Sequence, residues 1–315
     1  MNPFLVVLII FAILMILLFV GLWIIYYKVF YNSKKSRNKI ITDLVKPEYD
    51  TFREQIKENI EKVKNIPYEV IKIPSKDDKT LVAKYYHVDD KAPVDILCHG
   101  YKGSGLRDFC GGLQISLEMG HNVILIDHRG HGESDGHTIS FGIKERQDVL
   151  DWIYYCRIRF GNDVKIFLIG ISMGASTVLM TQNLKLPKNV VGIIADSPYT
   201  SPKDIILKVV NDMKLPAKLL SPFIKLSALI FGHFKLDECN AIDAIKKCNL
   251  PILLIHGKAD SFVPYEMSEQ IKSDYDNVQL ELFEDASHGM SYLVDEKRYK
   301  AIVSEFINKV LNPKK

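Results

Sequence analysis

The chain has 315 residues, 47% of them hydrophobic, and a formal net charge of +3. That supplies a large core, while near-neutral charge without a basic cluster in the folded part argues against a nucleic-acid partner. Its five cysteines, Cys98, Cys110, Cys156, Cys239 and Cys248, are odd in number and form no C-x-x-C pair. This excludes a disulfide framework and fits reduced thiols in a reducing compartment.

Residues 4–27 carry no charge. As a helix this run would span about 36 Å, enough to cross a hydrocarbon core of about 30 Å with some tilt. A basic start and a small-residue cleavage site, the marks of a signal peptide, are both missing. Trp23, Tyr26 and Tyr27 form an aromatic belt at one end, followed by Lys28, Lys34, Lys35, Arg37 and Lys39 before the first acid, Asp43. Positive flanks stay in the cytoplasm, so a single-pass anchor over residues 1–28 is expected, with the folded part on the cytoplasmic side of the cell membrane. Residues 29–65 then form a basic juxtamembrane segment and an amphipathic helix over 47–65. Its stripe is Tyr49, Phe52, Ile56, Ile60 and Val63, and its expected role is to dock the anchor onto the domain behind it.

From residue 66 to the end the pattern is one domain. Residues 68–73 and 81–88 flank the polar turn Ser75-Lys76-Asp77-Asp78-Lys79 and predict an antiparallel hairpin. Short apolar runs follow at 94–98, 122–126, 165–169, 190–195, 252–255 and 278–283. Helical patterns lie between them at 106–118, 141–160, 177–184, 265–273 and 296–311. Such alternation predicts an α/β fold with a mainly parallel sheet covered by helices on both faces. Residues 202–248 break the rhythm. They hold no strand pattern and are rich in Ile, Leu, Val, Phe and Lys, so a helical cap insertion is expected at about 200–248. Two apolar groups in it, Ile205, Ile206, Val209, Val210 and Met213, then Leu219, Leu220, Phe223, Ile224 and Leu226, are expected to gate access to a site beneath.

Chemistry in such a sheet collects where the strands end. The run 165–169 leads into Gly170-Ile171-Ser172-Met173-Gly174, then directly into a helix. This strand, tight turn and helix is the context in which G-x-S-x-G exposes a nucleophilic serine, here Ser172. A turn serine capping the helix is the bland alternative. The run 94–98 ends in His99-Gly100-Tyr101-Lys102-Gly103-Ser104-Gly105, where a glycine turn lets the Tyr101 amide approach. With the Met173 amide at the helix start it would form an oxyanion hole. A phosphate loop would need a Gly-Lys-Ser/Thr ending, which is missing. The run 122–126 ends in Asp127-His128-Arg129-Gly130-His131-Gly132-Glu133-Ser134. No metal-ligand spacing accompanies these histidines, so no metal is expected, and Asp127 and Arg129 should tie the loop down through Asp148. A serine needs a base, and the base an acid. His288, after the last strand, is the base; Asp260, after 252–255, is the acid, with Asp196 as its competitor.

Those motifs, together with His256-Gly257-Lys258-Ala259-Asp260 and Ser287-His288-Gly289, resemble the α/β-hydrolase superfamily. More narrowly they are similar to its bacterial serine aminopeptidase-like branch, over about residues 66–312 and in the order nucleophile, acid, base. The resemblance implies the α/β-hydrolase fold and a serine hydrolase without cofactor, acting on a small-molecule carboxylic ester or thioester. The apolar cap beside a bilayer points to a lipophilic acyl group. A peptidase of the aminopeptidase type is the alternative. It would need acids near the pocket to hold a free amine, and the cap offers Asp204, Asp212, Asp237, Glu238 and Asp243. A non-catalytic binding domain on a membrane tether is the third reading.

Overall fold

A computed structural model describes residues 2–40, 50–246, 248–273 and 275–313 of the chain. The uncharged run is one helix, α1 (Pro3–Val29), started by the Asn2 side chain accepting from the Phe4 amide. Its 27 residues reach about 40 Å, and nearly all of its large apolar side chains from Phe4 to Val20 are exposed. The short α2 (Lys34–Ile40) and the amphipathic α3 (Arg53–Lys64) follow. The N-terminal residues 47–49 of the expected amphipathic helix lie outside the described residues.

Eight strands make one sheet in the order β1-β2-β4-β3-β5-β6-β7-β8. β1 (Glu69–Pro74) and β2 (Thr80–Tyr86) form the antiparallel hairpin, and β2 also runs antiparallel to β4 (Asn122–Asp127). The remainder is parallel: β3 (Val94–Cys98), β4, β5 (Ile166–Ile171), β6 (Val190–Asp196), β7 (Ile252–Gly257) and β8 (Val278–Phe283). Strands buried on both faces need continuous apolar runs instead of alternation, and β3 and β7 are buried at every residue.

The intervening helices are α4 (Gly105–Asp108), α5 (Gly112–Glu118), α6 (Glu145–Phe160), α7 (Met173–Met180), α8 (Pro202–Asp212), α9 (Ala217–Gly232), α10 (Ala241–Ile245), α11 (Glu266–Lys272), α12 (Ser291–Val294) and α13 (Glu296–Leu311). The helix expected over 106–118 is thus two short ones. One sheet face packs Ile96, Ile124, Leu168 and Ile193 against Trp152 and Ile153 of α6 and Val178 and Leu179 of α7. The other packs Phe167, Ile194 and Ile255 against Tyr299, Val303 and Phe306 of α13. Beyond β6 the chain forms the expected all-helical cap of α8, α9 and α10.

Helix α3 docks on the domain, and the end of α1 has a seat of its own there. Helix α1 is seated by its own end: Phe30 is fully buried among Phe141, Phe234 and Tyr26. The Asn32 side chain donates to the Gly130 carbonyl at 2.9 Å, and Arg37 turns inward to donate to the carbonyls of Ser134, Asn32 and Gly136. A buried guanidinium needs acceptors, and Arg37 finds them for its two terminal nitrogens by reaching into the loop after β4. Helix α3 packs Val63 against Tyr86, Leu97 and Leu113, and Ile56 against Met290.

Candidate active site

Ser172 sits between β5 and α7 with φ 55° and ψ −116°. A non-glycine residue in that region stores strain on the order of 1–3 kcal/mol and persists only where the surroundings hold it. Here the Ser172 amide donates to the Asp196 carbonyl at 2.8 Å, and the Ser172 carbonyl accepts from Ser176 at 3.0 Å. The flanking glycines are sterically required. A Cβ on Gly170 would stand 2.3 Å from the Gly174 backbone, and one on Gly174 would stand 1.8 Å from the Cys98 carbonyl oxygen.

His288 Nε2 lies 2.9 Å from Ser172 Oγ, and His288 Nδ1 lies 2.6 Å from Asp260 Oδ2. Because Asp260 can only accept, Nδ1 carries the proton and Nε2 is left to accept from the serine hydroxyl. All three side chains are nearly enclosed: Ser172 is 8% exposed, the Asp260 side chain 0% and the His288 side chain 14%. Burial alone would raise the Asp260 pKa, but hydrogen bonds from His256 and His288 and from the Val263 amide hold it well below the usual carboxylate range. Its rival Asp196 accepts from Ser197 Oγ at 2.9 Å and from Tyr299 Oη at 3.0 Å. Burial pushes its carboxyl upward.

Met173 opens α7, and the first amides of a helix have no acceptor within it. Gly100, one residue before Tyr101, approaches Ser172 so closely that a Cβ there would lie 3.4 Å from Ser172 Cβ. The two amides expected to hold an oxyanion therefore belong to segments that flank Ser172. His131 Nε2 accepts from the Lys102 amide at 3.0 Å and so pins the loop after β3. As expected, Arg129 ties down the loop after β4, with Nε 2.6 Å from Asp148 and both terminal nitrogens 3.0 Å from Asp77.

Residues 96–224 match the family model for the alpha/beta hydrolase fold. The esterase Pf2001 of Pyrococcus furiosus superposes with a TM-score of 0.62 at 25% identity, covering 80% of this chain and 93% of that one. The chain carries the α/β-hydrolase fold.

Among curated relatives, uncharacterized protein YqkD of Bacillus subtilis is 28% identical over 229 residues, 71% of this chain and 75% of YqkD. The lysophosphatidylserine lipase ABHD12 of Xenopus tropicalis is 24% identical over 234 residues, 68% of this chain. The chain spans 57% of that lipase, and about half of several other relatives it matches. In this hydrolase fold, two side chains near the site went unassigned at the level of sequence. His256 Nε2 faces two acceptors, Val263 O at 2.9 Å and Asp260 Oδ2 at 3.2 Å, so it carries a proton and donates to Asp260. Asp108 Oδ2 accepts from the Gly100 amide at 2.8 Å and fixes the loop next to Ser172. A His four residues ahead of Asp260 is a legible signal; Asp108 has none beyond following a glycine-rich loop.

Beside Ser172 lies a cavity of about 120 Å³, slightly smaller than the roughly 150 Å³ apolar cavities that accept benzene. Its walls include Ile171, Phe109, Cys110, Ile56, Met290 and Leu293. Among the described residues, no cap side chain between 202 and 248 lines it. Ile205, Ile206, Val210 and Ile224 are instead the buried core of the cap, which corrects the expectation that both apolar groups gate this site. Cys110 is no rival nucleophile, since burial pushes its thiol up to about 12. The five cap acids are engaged elsewhere: Asp204 with Thr200, Asp212 with Lys208, Asp237 with Lys225, Glu238 with Arg146 and Asp243 with Lys246.

Proposed function

We propose that the protein is a serine hydrolase of carboxylic esters or thioesters, held at the membrane by α1 with its domain in the cytoplasm. The observation that carries this is the continuous chain Ser172 Oγ, His288, Asp260, with distances of 2.9 and 2.6 Å, opening on an apolar cavity. Ser172 Oγ attacks the acyl carbon while its proton passes to His288 Nε2. Asp260 stays ionised and stabilises the imidazolium, and the amides of Tyr101 and Met173 hold the oxyanion. His288 then protonates the departing alcohol or thiol. Water, deprotonated by the same nitrogen, releases the acid and restores the serine. No cofactor or metal has a part in these steps.

An acyl ester with an apolar chain suits the cavity, and esterases and a lipase are among the similar proteins. The peptidase alternative draws no support from the cap acids, each of which has its own partner. The test is fluorophosphonate labelling of the full chain, followed by hydrolysis of p-nitrophenyl esters of graded length. Wild type should label and turn over esters, and Ser172→Ala should do neither, the loss approaching the roughly 10⁶-fold drop known for triad serines. Covalent labelling of the alanine variant at the normal rate would remove Ser172 from the mechanism. A wild type inert to both reagents would favour a tethered binding domain.

A further inference from the structure

Helix α9 has two apolar faces. Ala217, Ile224 and Ala228 are buried in the cap, as a core-facing stripe should be. On another side, Leu219, Phe223, Leu226 and Ile230 recur at the spacing of a single helical face. They are 67%, 38%, 37% and 39% exposed, with Leu229 beside them at 49%. Just ahead of α9, Met213 and Leu215 are exposed as well. A helix apolar on nearly all sides is one that either lies inside a protein or meets lipid.

The neighbour of α9 decides between the two. Its Phe231 ring packs against Phe19, Trp23 and Tyr26 of α1, with ring centres 5.1, 5.1 and 5.7 Å apart. Trp23 and Tyr26 belong to the aromatic belt, where side chains with one apolar and one polar end settle at the level of the headgroups. Phe19 lies one turn further along α1, about 6 Å deeper into the hydrocarbon. The end of α9 thus meets the span at and below the belt. The exposed stripe continues the apolar surface of the span, and Lys214 just ahead of α9 and Lys218 in its first turn offer positive charge to anionic headgroups.

We propose that the outer face of α9 is embedded in the leaflet next to the domain, its occupant being lipid acyl chains. The cap is then a second membrane contact, lying in the interface beside the span, and it holds the catalytic domain against the lipid surface. This rests on α1 spanning the bilayer, and the experiment separates the two claims.

All five native cysteines are buried, so an environment-sensitive fluorophore can be directed to single introduced ones. Phe11→Cys reports on the span, Leu226→Cys on α9, and Ile158→Cys, at a site 86% exposed on α6, on water. Each full-length variant is placed in phosphatidylcholine–phosphatidylglycerol vesicles, with and without spin-labelled lipid. The expected result is severalfold stronger quenching by spin-labelled lipid at 11 and 226 than at 158, with iodide quenching in the reverse order. Quenching at 11 but not at 226 overturns the α9 proposal and leaves the span intact. A label at 226 shielded from both iodide and lipid also overturns it, since protein, such as a second copy, would then cover that face. Absence of lipid quenching at 11 overturns the span itself, and the α9 proposal with it.

Discussion

Asp260 and Asp196 stand at the ends of adjacent strands, yet their surroundings drive them in opposite directions. Asp260 collects two backbone amides on one oxygen and two imidazoles on the other, all of which favour its charged form. An unfolded aspartate titrates at about 3.9, so a folded value below that contributes stability above about pH 4, lost as the pH falls through the folded value. Asp196, buried and raised, has the opposite sign: stability declines as the pH rises from about 4 through its folded value. Asp260→Asn should therefore lower kcat by about 10⁴-fold, the size seen when a triad acid is neutralised, and its stability deficit against wild type should shrink below pH 4. Asp196→Asn should leave kcat within about threefold and flatten the fall in stability as the pH rises above about 4. Ester turnover, with denaturant melts from below pH 4 upward, checks both, and a collapse of kcat in the second variant alone would exchange the roles. Ser172, Asp260 and His288 could be read from the chain because glycine turns at strand ends are local signals. His256 is marked only by standing four residues ahead of Asp260, and Asp108, which holds the Gly100 amide across a turn, is announced by no spacing rule.

Among the elements, α3 carries more than its amphipathic pattern announced. It lies outside the segment matched by the family model, yet its Ile56 forms part of the wall of the cavity beside Ser172, together with Met290 and Leu293. The cap could be recognised as helical, since strandless apolar sequence between two strands has few other options. Which side of Ser172 the cavity opens toward depends on how α3, α5 and α12 pack, and that is set by tertiary contacts far apart in the chain. Filling a cavity of this size with an indole should exclude longer acyl chains while sparing short ones. For Ile56→Trp, kcat/KM on a long-chain p-nitrophenyl ester should fall more than tenfold relative to the acetate. An equal loss on both would mark Ile56 as a packing residue without influence on chain length.

At the scale of the whole molecule, the charge flanking α1 sets the expected orientation. Arg37 is buried among carbonyls and is not free to meet lipid headgroups, which leaves the bias to the lysines around it. Alkaline phosphatase fused after Lys315 should be inactive in a bacterial host and a fluorescent protein at the same place bright; the reverse pair would put the site outside the cell. Residues 30–37 are woven into the domain, and the Val29 carbonyl accepts from the Tyr101 hydroxyl at 2.8 Å. Helix α1 is therefore no detachable handle. Trimming the chain back to residue 41 would empty the place of Phe30, at about 3–5 kcal/mol for a buried phenylalanine. It would also take away the Asn32 and Arg37 contacts that brace the loop after β4. Anyone wanting a water-soluble form of this molecule would do better to keep α1 and repaint its outer face, exchanging Phe4, Phe11 and Leu14 and their neighbours for Glu, Lys and Gln while leaving Leu22, Tyr26 and Phe30 untouched.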